Sequence, residues 1–175
     1  MRTKLAALIA FASYVLLTPA PAAIITNDPG GRIITYIDQY RSMRDTGERV
    51  VIDGACLSAC TLVLGIVPRD RVCATPKAVL GFHAAWLPGQ NGKQIPSELG
   101  NKMLLEIYPP NVRTWINGRG GLTSKMQYLR GRELYALLPR CKNGAAEAEA
   151  RAPSSFTPAS YSPAFHQPIN KHRAW

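Results

Sequence analysis

Hydrophobic positions along this chain fall into short apolar runs separated by turn residues, with helical stripes between some of them. Ile24-Ile25 opens the first run, and Asn27-Asp28-Pro29-Gly30-Gly31 ends it in a turn. Gly31 to Gly47 then reads as a helix, because Ile33, Ile37 and Tyr40 recur at one helical face, with Ile34 and Met43 widening the stripe. Val50-Val51-Ile52 is a β-branched run that suits a buried strand, and Asp53-Gly54-Ala55 is expected to break it. Ala59 to Leu64 is small and apolar, as in a buried helix. Val72-Cys73-Ala74 and Val79 to Phe82 read as two further strands, flanked by turns at Pro68 to Arg71 and Thr75 to Lys77. Two consecutive strand–helix–strand units predict a parallel sheet with right-handed crossovers. Ligands of such sheets sit outside the carboxyl ends of the strands.

Beyond His83 the pattern loosens. Ala84 to Gln94 holds Trp86, Pro88, Gly89 and Gly92 and is expected to be an exposed loop. Pro96 to Tyr108 reads as a helix capped by Ser97, with Leu99, Met103, Leu104 and Ile107 as its stripe. Pro109-Pro110 stops it, and Val112, Trp115 and Ile116 suggest a short helical turn. After the Gly118 to Gly121 break, Leu122 to Leu129 and Arg132 to Leu138 are read as two short helices.

Candidate chemistry lies at one junction. Ser58 sits between the Val50 strand and the following helix, where helix N–H groups and the helix dipole favour an anion. A nucleophile and the oxyanion it creates can be held there. His83 follows the next apolar strand, so a parallel arrangement brings an imidazole beside the hydroxyl. The Gly30-Gly31 pair can approach a ligand closely and present bare N–H groups. The competing reading makes Ser58 a helix cap and His83 a core histidine.

Strand–Pro-Gly-Gly–helix, then strand–Gly-x-x-x-Ser-Ala–helix, then strand–His resembles the Clp protease proteolytic subunit and its relatives in the Clp/crotonase superfamily, above all periplasmic Clp-protease-like proteins. The resemblance runs from about Ile24 to Pro139. It implies a single α/β domain of repeated β-α-β units with a parallel sheet and short late helices. It also implies Ser58 as nucleophile, His83 as base, and Gly30 or Gly31 with Ala59 as oxyanion-hole donors. Trp86 would line the substrate site, and the substrate would be a peptide or protein. The proteolytic subunits carry an aspartate late in the chain that orients the histidine, and the corresponding position here falls near Met126, where no acid stands. Asn101, Glu106 and Glu133 are the remaining candidates for that role. A Ser–Lys dyad through Lys102 is a second mechanism found in the superfamily.

The 175-residue chain carries a formal net charge of +10. Met1 to Ala23 reads as a secretory signal: Arg2 and Lys4 begin it, Leu5 to Leu17 is a short apolar run, and Ala20-Pro21-Ala22 resembles a cleavage site. An uncleaved membrane anchor is the alternative. Without Arg2 and Lys4 the charge is two lower, about +8, spread over scattered arginines. No helix-turn-helix, RNP or zinc-finger pattern is present and aromatics do not interleave with the basic residues, so nucleic acid is not an expected partner. The domain is expected over 24–141, with 142–175 an Ala-, Pro- and Ser-rich tail of disordered composition.

Four cysteines, Cys56, Cys60, Cys73 and Cys141, in an exported chain point to disulfides, with three pairings open. A bond from Cys56 or Cys60 would staple the Ser58 turn to a neighbouring element, and Cys73 with Cys141 would tie the last helix to the sheet. Their spacing with His83 is a poor zinc pattern, so no metal and no cofactor is expected. The reading is a periplasmic or secreted serine hydrolase of peptidase type, if active, with no ATPase partner expected outside the cytoplasm, that could self-associate as its relatives do. The rival is a silent Clp-like binding or scaffold protein of the envelope.

Overall fold

Alternating buried and partly exposed residues at Ala22–Asp28 form strand β1, the first element of a computed structural model that describes residues 22–142. The expected leader up to residue 21 and the tail from residue 143 lie outside the described residues. Ala22 and Ala23, which the sequence assigns to the leader, pair with Arg49 and Val50 inside the sheet.

Helix α1 (Ile33–Asp45) follows, then strand β2 (Arg49–Leu57). The helix buries Tyr36, Ile37, Tyr40 and Met43, whereas Ile34 is exposed, so its inner face is centred on the tyrosines rather than the isoleucines. β2 is not broken at Asp53-Gly54-Ala55. Ile25 pairs with Ile52 but Asn27 pairs with Ala55, so one extra β2 residue is absorbed in a bulge. Gly54 makes this feasible: any Cβ there would run into the Thr26 carbonyl. The strand therefore continues to Leu57.

A 3-10 helix (Ser58–Leu62) leads into helix α2 (Val63–Ile66). Strands β3 (Val72–Ala74) and β4 (Val79–Phe82) then take successive halves of one β2 edge, β3 along Val50 to Ile52 and β4 along Ala55 to Leu57. The expected loop after His83 is instead a small antiparallel ribbon, β5 (Trp86–Pro88) with β6 (Gln94–Pro96), closed by Asn91 and Gly92 at positive φ.

Helix α3 (Glu98–Ile107) is capped by the Ser97 hydroxyl, which accepts from Gly100 N–H at 3.1 Å, and α4 (Pro110–Asn117) begins on its proline. Leu104 is the buried member of the α3 stripe; Leu99, placed on that stripe by periodicity, points to solvent. The helix expected over Leu122 to Leu129 is absent. Gly120 and Gly121 turn the chain at positive φ, and strand β7 (Gln127–Arg130) pairs antiparallel with β4. The open edge of β4 offers backbone partners that a short isolated helix could not match. Helix α5 (Gly131–Leu137) closes the domain.

The main sheet thus runs β1-β2-β4-β7 with β3 beside β2, mostly parallel, and is packed on a single large core that includes Tyr40, Ile52, Leu62, Leu80, Phe82, Tyr108, Ile116 and Leu129. This is the mixed α/β single domain expected from the sequence, with one late helix replaced by a strand.

Candidate active site

Three strands end at the same side of the sheet. β1 ends at Asp28, β2 at Leu57 and β4 at Phe82, so the Pro29-Gly30-Gly31 turn, Ser58 and His83 all emerge at adjacent carboxyl ends.

Ser58 has a φ of 56°, one of two non-glycine residues at positive φ among the described residues. A side chain in this left-handed region costs about 1–2 kcal/mol. The extended Leu57 thus turns abruptly into the 3-10 helix, and the half-buried serine sits on a sharp elbow. Two features fix that elbow. Cys56 and Cys60 are joined by a disulfide that spans Ser58, with Cα atoms 5.3 Å apart. The bond closes the turn on itself and does not link it to a neighbouring element, because both thiols lie within the same reversal of chain direction. Tyr40, fully buried, donates its hydroxyl to the Cys60 carbonyl at 2.9 Å.

The glycine turn is pressed against the elbow. Gly30 has a φ of 83°, and a Cβ on it would lie 2.5 Å from the Leu57 carbonyl oxygen, 2.6 Å from Ser58 Cβ and 2.9 Å from Ala59 N. Only a glycine fits. Gly30 N–H donates to Asp28 Oδ1 at 2.8 Å, whereas Gly31 N–H has no partner among the described residues. Of the glycine pair, Gly31 therefore retains the uncommitted donor. Ala59 N–H lies in the first turn of the 3-10 helix, where no carbonyl of the helix itself can receive it.

His83, half-buried, follows β4 directly. Its Nδ1 is 2.7 Å from the Ala84 carbonyl oxygen. A carbonyl only accepts, so in the neutral ring Nδ1 carries the proton and Nε2 is the basic nitrogen. No hydrogen bond joins His83 to Ser58 among the described residues. Phe82 pairs with Gln127, which puts Met126 across from His83, and its sulfur packs close over Gly81. The other candidate partners are engaged elsewhere. Asn101 Oδ1 accepts from Ala85 N–H at 2.7 Å, Glu133 pairs with Arg119 at 2.9 Å, and Glu106 faces Lys102 on the α3 surface. Lys102 is 73% exposed and lies beside Glu106 on the α3 surface, so it lacks the desolvated setting that a Ser–Lys dyad needs. Trp86, 43% exposed, opens the ribbon three residues after His83.

Sequence reasoning missed Asp28 and Tyr36. Tyr36 donates its hydroxyl to Asp28 Oδ1 at 2.5 Å, and both are buried. Burial, then the hydrogen bond to and charge of Asp28, push the Tyr36 phenol far above the ordinary tyrosine range. Asp28 was legible only as part of a turn signal; its position, two residues before Gly30, was the available clue.

The second disulfide joins Cys73 to Cys141, with Cα atoms 5.0 Å apart. Both bonds are of the kind that persist in oxidising compartments. Among the described residues, no helix is long and apolar enough to cross a membrane, and no three metal-binding side chains cluster.

No family model and no curated protein matches this chain. Solved structures that resemble it include a ClpP1 mutant from Listeria monocytogenes, 16% identical, covering 70% of this chain and 75% of its own, with a TM-score of 0.43. A peptidase from Plasmodium falciparum is 9% identical, covers 69% and 77%, and has a TM-score of 0.46. A third, described only as an enzyme, is 12% identical, covers 67% and 74%, and has a TM-score of 0.46.

Proposed function

We propose that this protein is a serine hydrolase of peptidase type, acting in the periplasm or another oxidising compartment on a peptide or protein substrate. The observation that carries the reading is the Ser58 elbow: a hydroxyl on a strained left-handed turn, braced by a disulfide and by Gly30. Such strain persists where the surrounding structure over-determines it, and it clusters at functional sites.

In this mechanism His83 Nε2 takes the Ser58 proton as Oγ attacks the substrate carbonyl carbon. The C=O π pair moves onto oxygen, and the N–H groups of Gly31 and Ala59 stabilise that oxyanion. Collapse expels the amine, which receives the proton from His83. Water, deprotonated by His83, then releases the acyl group and restores Ser58. The Ala84 carbonyl takes over the orienting task of an acidic third residue, holding the Nδ1 proton. Trp86 supplies an apolar wall for the substrate. No metal or cofactor enters, and self-association of the chain is compatible with this reading.

Labelling of the purified, oxidised protein with a fluorophosphonate tests it. Wild type is expected to label, and Ser58→Ala and His83→Ala are expected not to. An unlabelled but folded wild type overturns the mechanism. It would favour the second reading, a silent envelope binding protein, for which the apolar Met126 opposite His83 is the supporting observation.

A further inference from the structure

Asp28 is 1% exposed and lies at the end of β1, paired in register with Cys56. Its Oδ1 receives two hydrogen bonds, from Gly30 N–H and from Tyr36 hydroxyl, while Oδ2 is buried with no partner among the described residues. A buried carboxyl group with one unpartnered oxygen is unfavourable. A turn alone does not require it, since many polar residues can precede Pro-Gly.

The contacts of Asp28 lead directly to the site. Gly30, which it holds, touches Leu57, Ser58 and Ala59. Tyr36, which it also holds, has its ring edge 3.3 Å from where a Cβ of Gly31 would stand. One carboxyl oxygen therefore holds Gly30 by its N–H and also holds the tyrosine whose ring lies beside Gly31.

We infer that Asp28 is a positioning residue: with Tyr36 it commits the Gly30 N–H, fixes the turn against the Ser58 elbow, and so leaves the Gly31 N–H as the oxyanion donor. The inference rests on the hydrolase reading for its chemistry, but the holding of the turn can be measured separately. Without the Oδ1 acceptor, the Gly30 amide is released and the Gly30–Gly31 peptide is free to rotate. Asparagine retains an acceptor oxygen of the same reach and gains an NH2 group where Oδ2 lacks a partner, so it is expected to substitute.

Asp28→Ala, Asp28→Asn and Tyr36→Phe would be compared with wild type in two measurements. The first is amide hydrogen exchange at Gly30 and Gly31 by NMR. Gly30 is expected to be protected in wild type and in Asp28→Asn, and to exchange at least tenfold faster in Asp28→Ala. The second is fluorophosphonate inactivation, resolved into reversible binding and the covalent step. Asp28→Ala is expected to slow the covalent step about a hundredfold, the order seen for loss of one oxyanion donor, with binding little changed. Tyr36→Phe, which removes a single hydroxyl and keeps the ring, is expected to slow it severalfold; Asp28→Asn is expected to stay within about threefold of wild type. A defect in Asp28→Ala that asparagine does not restore, or one that weakens binding and chemistry alike, overturns the inference. Should Asp28→Ala fail to fold, unchanged Gly30 exchange and labelling in Tyr36→Phe overturn it. If no variant labels, wild type included, the hydrolase reading fails, and Gly30 exchange alone decides whether Asp28 holds the turn.

Discussion

The two halves of the site are built by different means. On the β1–β2 side, Ser58 is gripped from several directions: a disulfide beneath it, Gly30 packed against its Cβ, and a buried Asp28–Tyr36 pair behind the glycine. On the β4–β7 side, His83 depends on one backbone carbonyl of its own neighbour, and Met126, one residue beyond the paired β7 register, lays its sulfur over Gly81. Beyond it the β5–β6 ribbon exposes Trp86, Leu87 and Ile95. The Ser58 half is over-determined; the His83 half has few constraints. Under the proposed serine-hydrolase reading, the oxyanion geometry is the feature this fold protects most, and proton transfer rests on the less constrained side chain.

Cutting each half's covalent tie separately is the strongest way to break this contrast. Replacing Cys73 and Cys141 together by alanine opens a loop closed across a sequence separation of 68 and should lower stability by about 4 kcal/mol, while Ser58 labelling keeps its rate. Urea unfolding beside labelling kinetics would read both, and a parallel fall in reactivity would show that the halves are not independent. Gly30→Ala forces a Cβ into the Ser58 elbow at positive φ and should cost about 3 kcal/mol and abolish labelling. Survival of labelling there would remove the grip assigned to the glycine turn. Replacing Cys56 and Cys60 by alanine opens a much shorter loop, worth about 2 kcal/mol. Its effect on Ser58 should be disproportionate, a fall in labelling of tenfold or more, because Ser58 lies inside that loop.

Titration separates the halves more gently. Burial raises the phenols of Tyr36, Tyr40 and Tyr108 well above the ordinary value. The folded state then keeps protons that the unfolded chain loses, so their contribution is complete below about pH 10 and declines as pH rises further. Each such tyrosine steepens the loss by up to about 1.4 kcal/mol per pH unit. Denaturation between pH 8 and 11 should show this fall, and Tyr36→Phe should flatten it; an unchanged slope would mean that the Tyr36 hydroxyl is already open to solvent. The smallest expected effect is on the loose side. Met126→Asp sets a carboxylate opposite His83 and should raise the labelling rate about tenfold. A rate that stays level would indicate that the Ala84 carbonyl already orients the ring.

The tight half was also the more legible one in the sequence. Pro29-Gly30-Gly31 and the Ser58 junction are local signals, since positive φ and short turns are written in one or two residues. What escaped depended on distant partners. β2 continues past Asp53-Gly54-Ala55 because Thr26 lies across from Gly54, and nothing in those three residues records the neighbour. The stretch ending at Leu129 has helical spacing but becomes a strand because β4 has a free edge. Asp28 reads as turn composition until Tyr36, eight residues on, is seen donating to it. Leu99 fits an apolar stripe, yet that face of α3 meets solvent.

The Cys73–Cys141 bond also gives the molecule a covalent topology. His83, the apolar ribbon, α3, α4, β7 and α5 all lie inside the ring it closes, whereas the glycine turn and Ser58 lie on the strand that leads into it. A single backbone cut at the ribbon tip, near Asn91 and Gly92, would therefore separate no fragment from the rest while the bond holds. In a compartment where proteases act on exposed loops, such a nicked chain keeps all its parts tethered, and only subsequent reduction would release them.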